Sequence, residues 1–251
     1  MIPSDELNAL ITANSVEELW DMHTRRMAEY GFDRLIYGFS RFMTETSLGD
    51  PEDFILLSNH DPAYMEKFIG EGLFHNAPMV RWAREHDGPQ SWALIGKMKA
   101  ANILTPEEQR VIEFNRSMGV AAGFTISFKS VSARAKGAIG LTARKGVSQA
   151  DVDALWARHG EDILLLNNLT HLRIMSLPHR PLARPLTPRQ REVLEWVSAG
   201  KTVQDIALLM GLTRVTVEKH LRLAREALGA ETTAQAVVKA AFQQQIFALS
   251  L

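Results

Sequence analysis

Residues 202–228 read TVQDIALLMGLTRVTVEKHLRLAREAL, and this stretch predicts two short helices joined by a tight turn. Thr202 is a capping residue for the first helix, with Asp205 three residues later as in a reciprocal capping pattern. Gly211 marks the end of that helix, because glycine adopts the left-handed conformation without steric cost. Thr213 then caps the second helix. The pattern predicts a helix-turn-helix, whose second helix enters the major groove of DNA.

The second predicted helix has an apolar face and a charged face. The apolar side chains recur at intervals of four, three and four residues, which is the spacing of one helical face. They are Val217, Leu221, Ala224 and Leu228. The charged side chains on or near the opposite face are Arg214, Glu218, Lys219, Arg222 and Arg225. A charged face is usually only solvated, so the flanking sequence has to distinguish a DNA reader from an ordinary helical hairpin.

The flanking sequence marks two further helices. The segment 187–190, TPRQ, combines a cap, a proline at the first helical position and a capping-box glutamine, and Gly200 closes the helix that follows. The segment 232–235, TTAQ, opens a fourth helix. Four short helices with such regular boundaries predict a compact all-α domain over residues 186–251.

Residues 186–230, LTPRQREVLEWVSAGKTVQDIALLMGLTRVTVEKHLRLAREALGA, resemble the DNA-binding domain of LuxR-type transcription regulators. In that family the third helix of the domain reads the major groove. The resemblance implies base-facing positions at Glu218, Lys219 and Arg222, and positions near phosphates at Thr213, Arg214 and His220. Arg and Lys can donate to guanine O6 and N7, and Glu can accept from cytosine N4. His220 fits a packing role beside the apolar face equally well.

The first part of the chain predicts helices packed around an antiparallel sheet. The predicted strands are Arg34–Phe42, Asp53–Ser58, Gly123–Lys129 and Gly137–Arg144. The third is predicted to be half-buried, because only one of its faces carries large apolar side chains. Three helices are predicted to begin after Ser15, Thr105 and Ser148. Two more are predicted at Asp61–Ile69 and Pro78–His86. This order predicts an α/β/α sandwich over residues 1–176 and a proline-rich linker at 177–185, so that the whole chain is α+β.

The N-terminal part resembles the autoinducer-binding domain of the LuxR family. The resemblance rests on the segments YGFDRLIYGF, LSNHDPAYMEKF, APMVRWAREHDGPQSW and MGVAAGFTISF. In the family, acyl-homoserine lactones occupy a cavity between the sheet and the helices. The resemblance implies ligand contacts at His60, Tyr64, Phe68, Ala77 and Trp92. Trp92 and Gly123 match the family, whereas the aromatics Tyr37 and Trp82 are expected to be ordinary core residues.

The sequence departs from the family where polar groups hold the lactone. Tyr64 stands at a tryptophan position, Phe68 at a tyrosine position and Ala77 at an aspartate position. A buried ligand N–H without an acceptor costs about 1–3 kcal/mol, and about 1.4 kcal/mol corresponds to a tenfold change in affinity. We therefore expect a sensor of a small molecule other than a standard acyl-homoserine lactone. The alternative is a ligand-independent orphan regulator whose cavity is filled by side chains.

Charge is distributed unevenly along the chain of 251 residues. The net charge is −1, yet residues 179–251 hold ten Lys or Arg against six Asp or Glu. The basic excess therefore lies with the helix-turn-helix, where release of counterions from DNA supplies affinity. An excess of four is modest, so we expect a homodimer that binds double-stranded DNA at two half-sites.

Several function classes are excluded or disfavoured. No apolar run approaches the roughly 18 residues needed to span a bilayer, and no signal peptide is recognisable, so we expect a cytoplasmic protein without a membrane partner. The chain has no cysteine, nucleophile elbow, phosphate-binding glycine loop or paired-histidine metal motif. We therefore expect no enzyme activity, catalytic residue, metal site or cofactor. A phosphorelay receiver is disfavoured, because neither early strand ends in a phosphoacceptor aspartate.

Overall fold

The computed structural model describes residues 2–41, 43–44, 48–49, 53–130, 132, 134–177 and 185–247. Contacts between Cα atoms divide the chain into two compact units, Met1–Met175 and Ser176–Leu251. Residues 178–184 of the predicted linker lie outside the described residues, as does Phe42 at the end of the first predicted strand.

A five-stranded antiparallel sheet forms the centre of the N-terminal unit. Its strands are β1 (Phe32–Ser40), β2 (Ile55–Ser58), β3 (Gly88–Ser91), β4 (Gly123–Phe128) and β5 (Lys136–Ala143). Their order in space is β2-β1-β5-β4-β3, so β1 and β5 are the inner pair. Because successive side chains of a strand point to opposite faces, each strand contributes to two different layers of packing.

Helices pack on both faces of the sheet. They are α1 (Ser4–Thr12), α2 (Val16–Glu29), α3 (Pro62–Met65), α4 (Pro78–Glu85), α5 (Ala93–Ala100), α6 (Pro106–Ser117) and α7 (Gln149–Ser176). Helix α3 continues as a wider π-helical turn, Glu66–Gly70, where the sequence predicted one continuous helix. A 3-10 turn, Leu73–Asn76, precedes α4. The predicted α/β/α sandwich is confirmed.

The face of the sheet that contacts α2 and α7 is closed and well packed. Tyr37 of β1 is only 1% exposed, and its hydroxyl lies 2.9 Å from Nδ1 of His171 in α7. Between the two helices, Nε2 of His23 lies 3.0 Å from Oδ1 of Asn167 and its Nδ1 lies 3.0 Å from the Thr170 hydroxyl. Burial lowers the pKa of His23 from its usual 6.5 to about 4. This face therefore holds the dense core of the unit, and the expected core role of Tyr37 agrees with it.

Strand β4 is buried on both faces, so the prediction that it is half-buried is wrong. Phe124 stacks on Trp156 of α7, with ring centroids 4.0 Å apart. On the other face, the Ser127 hydroxyl donates to the backbone oxygen of Ala83 in α4 at 2.8 Å. The alternation identified the apolar face correctly but could not reveal that a second layer of helices covers the polar face.

Four helices make up the part of the C-terminal unit that the structure describes. They are α8 (Pro188–Ser198), α9 (Val203–Met210), α10 (Arg214–Ala227) and α11 (Thr233–Phe242). A threonine precedes each helix, and its hydroxyl accepts a hydrogen bond from the N–H of the third helical residue. Gly211 ends α9 with a φ of 63°, as the sequence predicted. The predicted α+β class with a helix-turn-helix domain is confirmed.

Candidate ligand cavity and recognition helix

A cavity of about 320 Å³ lies between the sheet and the helices on the side away from α7. All five residues that the resemblance assigned to ligand contact line it: His60, Tyr64, Phe68, Ala77 and Trp92. The two aromatics expected to be structural lie elsewhere, since Tyr37 faces α7 and Trp82 packs in a cluster with Met79 and Ala83.

Small residues on the sheet create the space for the cavity. Gly38 of β1 pairs with Ala138 of β5, and Ile36 pairs with Gly140. All four line the cavity. A methyl group on Gly38 would meet no atom within 4 Å, and one on Gly140 would lie 3.2 Å from Cγ2 of Ile36. The sheet therefore leaves space above Gly38, Ala138 and Gly140, and Ile36 is the larger side chain beside them.

Stacked aromatic rings form one wall. Tyr64 stacks on His60 and Phe68, with centroid distances of 4.6 and 5.2 Å, and on Phe114 of α6 at 5.6 Å. The Tyr64 hydroxyl donates to Oδ1 of Asn115 at 3.1 Å. Burial raises the pKa of Tyr64 above its usual value, so the phenol stays neutral. Three ring contacts and one hydrogen bond fix this side chain in place.

His60 contributes a neutral imidazole to the cavity. Its side chain is 8% exposed, and Nε2 lies 3.4 Å from the hydroxyl of Thr142 on β5. Burial, aided by the nearby charge of Arg34, lowers the pKa of His60 to about 4. At neutral pH the ring therefore carries no charge, and it can donate with one nitrogen and accept with the other.

Trp92 closes one end of the cavity. Its indole Nε1 donates to the hydroxyl of Thr125 on β4 at 2.9 Å. Because the Thr125 oxygen accepts this bond, the proton of the same hydroxyl can still be donated elsewhere. Thr125 and Thr142 both line the cavity, and the resemblance did not point to either of them. Applying the two-residue alternation to the polar face of the strands would have found both.

Ala77 lies at the start of α4, at the N-cap position. Its backbone is extended, with φ −81° and ψ 122°, and no side chain caps the helix. The residue is 5% exposed and lines the cavity together with Pro78. Its methyl group can accept no hydrogen bond. None of the described lining residues is Asp or Glu, so none of them offers a carboxylate to a ligand.

Helix α10 carries the residues predicted to contact DNA. Its inner side is held by Val217, Leu221 and Ala224, which are buried in the core of the C-terminal unit. Five of the six predicted residues are exposed, and the sixth is half-buried. The exposed ones are Thr213, Arg214, Glu218, Lys219 and Arg222, and His220 is the half-buried one. The packing of α10 therefore determines which side of the helix faces the solvent.

Hydrogen bonds already engage two of these side chains. The Thr213 hydroxyl accepts from the N–H of Thr216 at 3.2 Å and lies 2.8 Å from the Thr216 hydroxyl. The Arg222 guanidinium donates to Oε1 of Glu226 at 2.5 Å, one helical turn away. Exposed ion pairs of this kind contribute about 0.3–0.5 kcal/mol, so the Arg222 side chain can exchange partners at little cost.

Two family models match the chain. The autoinducer binding domain matches residues 15–174, and the family of bacterial regulatory proteins, luxR family, matches residues 184–240. The chain belongs to the LuxR family of transcription regulators. Membership implies DNA binding by the C-terminal domain and a small-molecule signal for the N-terminal domain.

Individual relatives agree with this assignment. The transcriptional activator protein AnoR of Acinetobacter nosocomialis is 24% identical over 241 residues, which cover 94% of this chain and 95% of AnoR. The N-acylhomoserine lactone dependent factor CepR2 of Burkholderia cenocepacia superposes with a TM-score of 0.53 at 18% identity, over 69% of this chain and 93% of CepR2. Such relatives are transcription regulators rather than enzymes, and this LuxR-family chain is a regulator as well.

A second similar structure is that of SdiA in complex with octanoyl-rac-glycerol. It has a TM-score of 0.53 at 18% identity and covers 98% of this chain and 96% of SdiA. At this identity the likeness shows a shared fold. In the described ranges of this chain, no helix has an apolar stretch that would cross a membrane. In the same ranges, no three His, Asp or Glu side chains group as a metal site would need.

Proposed function

We propose that this LuxR-family chain is a homodimeric regulator whose cavity binds a small molecule other than a standard acyl-homoserine lactone. The observation that carries the proposal is the open cavity around Ala77, whose described lining residues include no carboxylate. An open cavity supports a sensor over the alternative, an orphan regulator whose cavity is filled. A regulator of chromosomal genes would act in the cytoplasm.

The polar groups of the cavity suit a ligand that accepts hydrogen bonds. The hydroxyls of Thr125 and Thr142 and the neutral ring of His60 line it, and Tyr64 adds a phenol that already donates to Asn115. A lactone amide N–H would find hydrocarbon at Ala77, and leaving it unpaired costs about 1–3 kcal/mol. The shared fold accommodates both ligand classes, since CepR2 depends on an N-acylhomoserine lactone and SdiA holds octanoyl-glycerol, which carries an ester and no amide N–H.

On the DNA side, we propose that α10 lies in the major groove. Glu218, Lys219 and Arg222 would face base edges, where Arg and Lys donate to guanine and Glu accepts from cytosine. Thr213, Arg214 and His220 would lie near phosphates, which the positive end of the helix also attracts. The exposure of this side of the helix supports the assignment.

Exposed apolar side chains support the homodimer. Leu165 and Leu172 on α7 are 45% and 64% exposed and lie seven residues apart, on one face of the helix. Val238 and Phe242 on α11 are 44% and 40% exposed and lie four residues apart. Pairing of two copies would cover these side chains and would place two recognition helices on two half-sites.

DNA binding is tested by fluorescence anisotropy with duplexes selected from a random pool by the full-length protein, in a salt titration. The double variant Lys219→Ala/Arg222→Ala should lose at least tenfold in affinity, because each base contact that it removes is worth about 1–3 kcal/mol. The control Lys97→Ala/Arg110→Ala removes two cations from the N-terminal unit and should bind like the wild type. Equal binding by all three proteins would overturn the role of α10.

The sensor is tested by mass spectrometry of small molecules extracted from the purified protein, together with a thermal-shift screen. The screen compares acyl-homoserine lactones with amide-free acyl esters of the same chain length. A ligand that binds only the folded state raises the melting temperature by mass action. We expect the esters to shift it more than the lactones do, and a larger shift with lactones would contradict the proposed ligand class.

A further inference from the structure

Val215 is an exposed apolar residue in the first turn of α10. Its side chain is 74% exposed, whereas Val217, two residues later, is completely buried. A β-branched side chain on an exposed helix position contributes nothing to packing, and it lowers helix propensity relative to alanine. Neither the core of the C-terminal unit nor the stability of the helix therefore explains a valine at this position.

The position of Val215 on the helix explains the valine better than packing or helix stability does. Residues three and four apart lie on the same face of a helix, so Val215, Lys219 and Arg222 form one row. In the same turn Thr216 is engaged by the cap. The first residues of a recognition helix are the ones that contact base edges. In the proposed complex, Val215 therefore faces the floor of the groove beside Lys219.

The chemistry of the major groove then restricts what Val215 can contact. Base edges present hydrogen-bond donors and acceptors there, and the one apolar group among them is the 5-methyl group of thymine. An isopropyl group placed against any other base would displace the water molecules that are hydrogen-bonded to that base edge. It cannot form hydrogen bonds in their place, and leaving the donors and acceptors unpaired is unfavourable.

We propose that Val215 reads a thymine methyl group, so that each half-site carries a thymine at the base pair under the first turn of α10. This inference rests on the proposed DNA readout and extends it by one specificity-determining residue. Val215 supplies selectivity for A·T over G·C at that base pair, whereas Lys219 and Arg222 supply hydrogen bonds at its neighbours.

The test uses full-length protein and a duplex selected from a random pool, in which each thymine is replaced in turn by deoxyuridine. This replacement removes only the methyl group. For the wild type we expect one thymine in each half-site at which the replacement weakens binding about fourfold, the effect of burying one methyl group. In Val215→Ala this penalty should disappear, because the contact has already been lost.

The matched control is Leu208→Ala, which removes another exposed apolar side chain, 77% exposed on α9. It should keep the wild-type penalty at the same thymine. If the wild type binds the selected duplex but no deoxyuridine penalty depends on Val215, this inference is wrong while the DNA readout stands. If no duplex is selected from the pool, the proposed function and this inference fail together.

Discussion

Gly123 lies directly beneath the indole ring of Trp92. A methyl group on Gly123 would lie 3.0 Å from two carbon atoms of that ring and would collide with the backbone oxygen of Leu141. Gly38, on the floor of the same cavity, has the opposite environment, since a methyl group there would meet nothing within 4 Å. Gly123 therefore allows the strand to pack closely against Trp92, whereas Gly38 leaves open space in the cavity.

This contrast predicts opposite effects of one substitution. Gly123→Ala should lower the free energy of unfolding by about 1–3 kcal/mol, the usual cost of forcing an extra methyl group into a packed site. Gly38→Ala should leave it unchanged or raise it by about 0.5–1 kcal/mol, because alanine loses less backbone entropy on folding. Urea denaturation of the two variants beside the wild type measures both. Equal destabilisation would show that the floor of the cavity is not open.

A second prediction concerns Ala77, which stands at an aspartate position of the family. Ala77→Asp should increase affinity for an acyl-homoserine lactone by tenfold or more, because it restores a charged acceptor for the amide N–H. Adding Tyr64→Trp should increase it further. Isothermal titration calorimetry with one lactone measures the change. The control Ala63→Asp adds a carboxylate at an exposed alanine and should bind like the wild type, and no gain in Ala77→Asp would contradict the alignment of this position.

A third prediction follows from the buried His23. Its pKa falls from 6.5 to about 4 on folding, so between these values the unfolded chain binds a proton that the folded chain does not bind. Stability is therefore fully present above pH 6.5 and decreases as the pH falls toward 4. One such group contributes at most about 3 kcal/mol over this range. His60 and His171, whose pKa values burial also lowers to about 4, act in the same direction.

The variant His23→Gln should therefore show a shallower loss of stability between pH 7 and pH 5 than the wild type, at the cost of lower stability at pH 7. Urea denaturation at both pH values gives the two slopes. The wild type measured in the same way gives the reference slope. If His23→Gln keeps that slope, His23 takes up no proton on unfolding.

A fourth prediction tests the dimer. Leu165→Asp/Leu172→Asp places two charges on the exposed apolar face of α7, where pairing of two copies would have to bury them. We expect the variant to sediment as a monomer at concentrations at which the wild type is a dimer. Its far-ultraviolet circular dichroism should be unchanged, since both residues are exposed. A dimeric variant would place the pairing surface elsewhere.

The sequence predicted the C-terminal unit more accurately than the N-terminal unit because its boundaries are set locally. Thr202 and Asp205 cap α9 by themselves, and so they can be recognised without knowledge of the rest of the fold. By contrast, Gly88–Ser91 has no strand pattern and contains a proline. It becomes β3 only because β4 offers it an edge to pair with.

The sequence did not predict helices α1 and α5, and the cap of α2 is only half of a capping box. The Ser15 hydroxyl accepts from the N–H of Glu18, but the Glu18 carboxylate accepts from the N–H of Asn14 rather than from that of Ser15. The cavity itself could not be derived from patterns. Its lining residues were proposed from resemblance, and the space above Gly38 depends on which helices lie over the sheet.

The threonine caps of α8 to α11 also bear on how quickly the two units form. Each cap closes within three residues, and small helical domains dominated by such short-range contacts fold in microseconds to milliseconds. The inner strand pair of the N-terminal unit joins Leu35 to Leu141, so this sheet has to close a long loop before it is stabilised. Although the ribosome releases the N-terminal unit first, the C-terminal unit would finish folding soon after its own synthesis. The slower half of each new chain therefore determines when the regulator is completely folded.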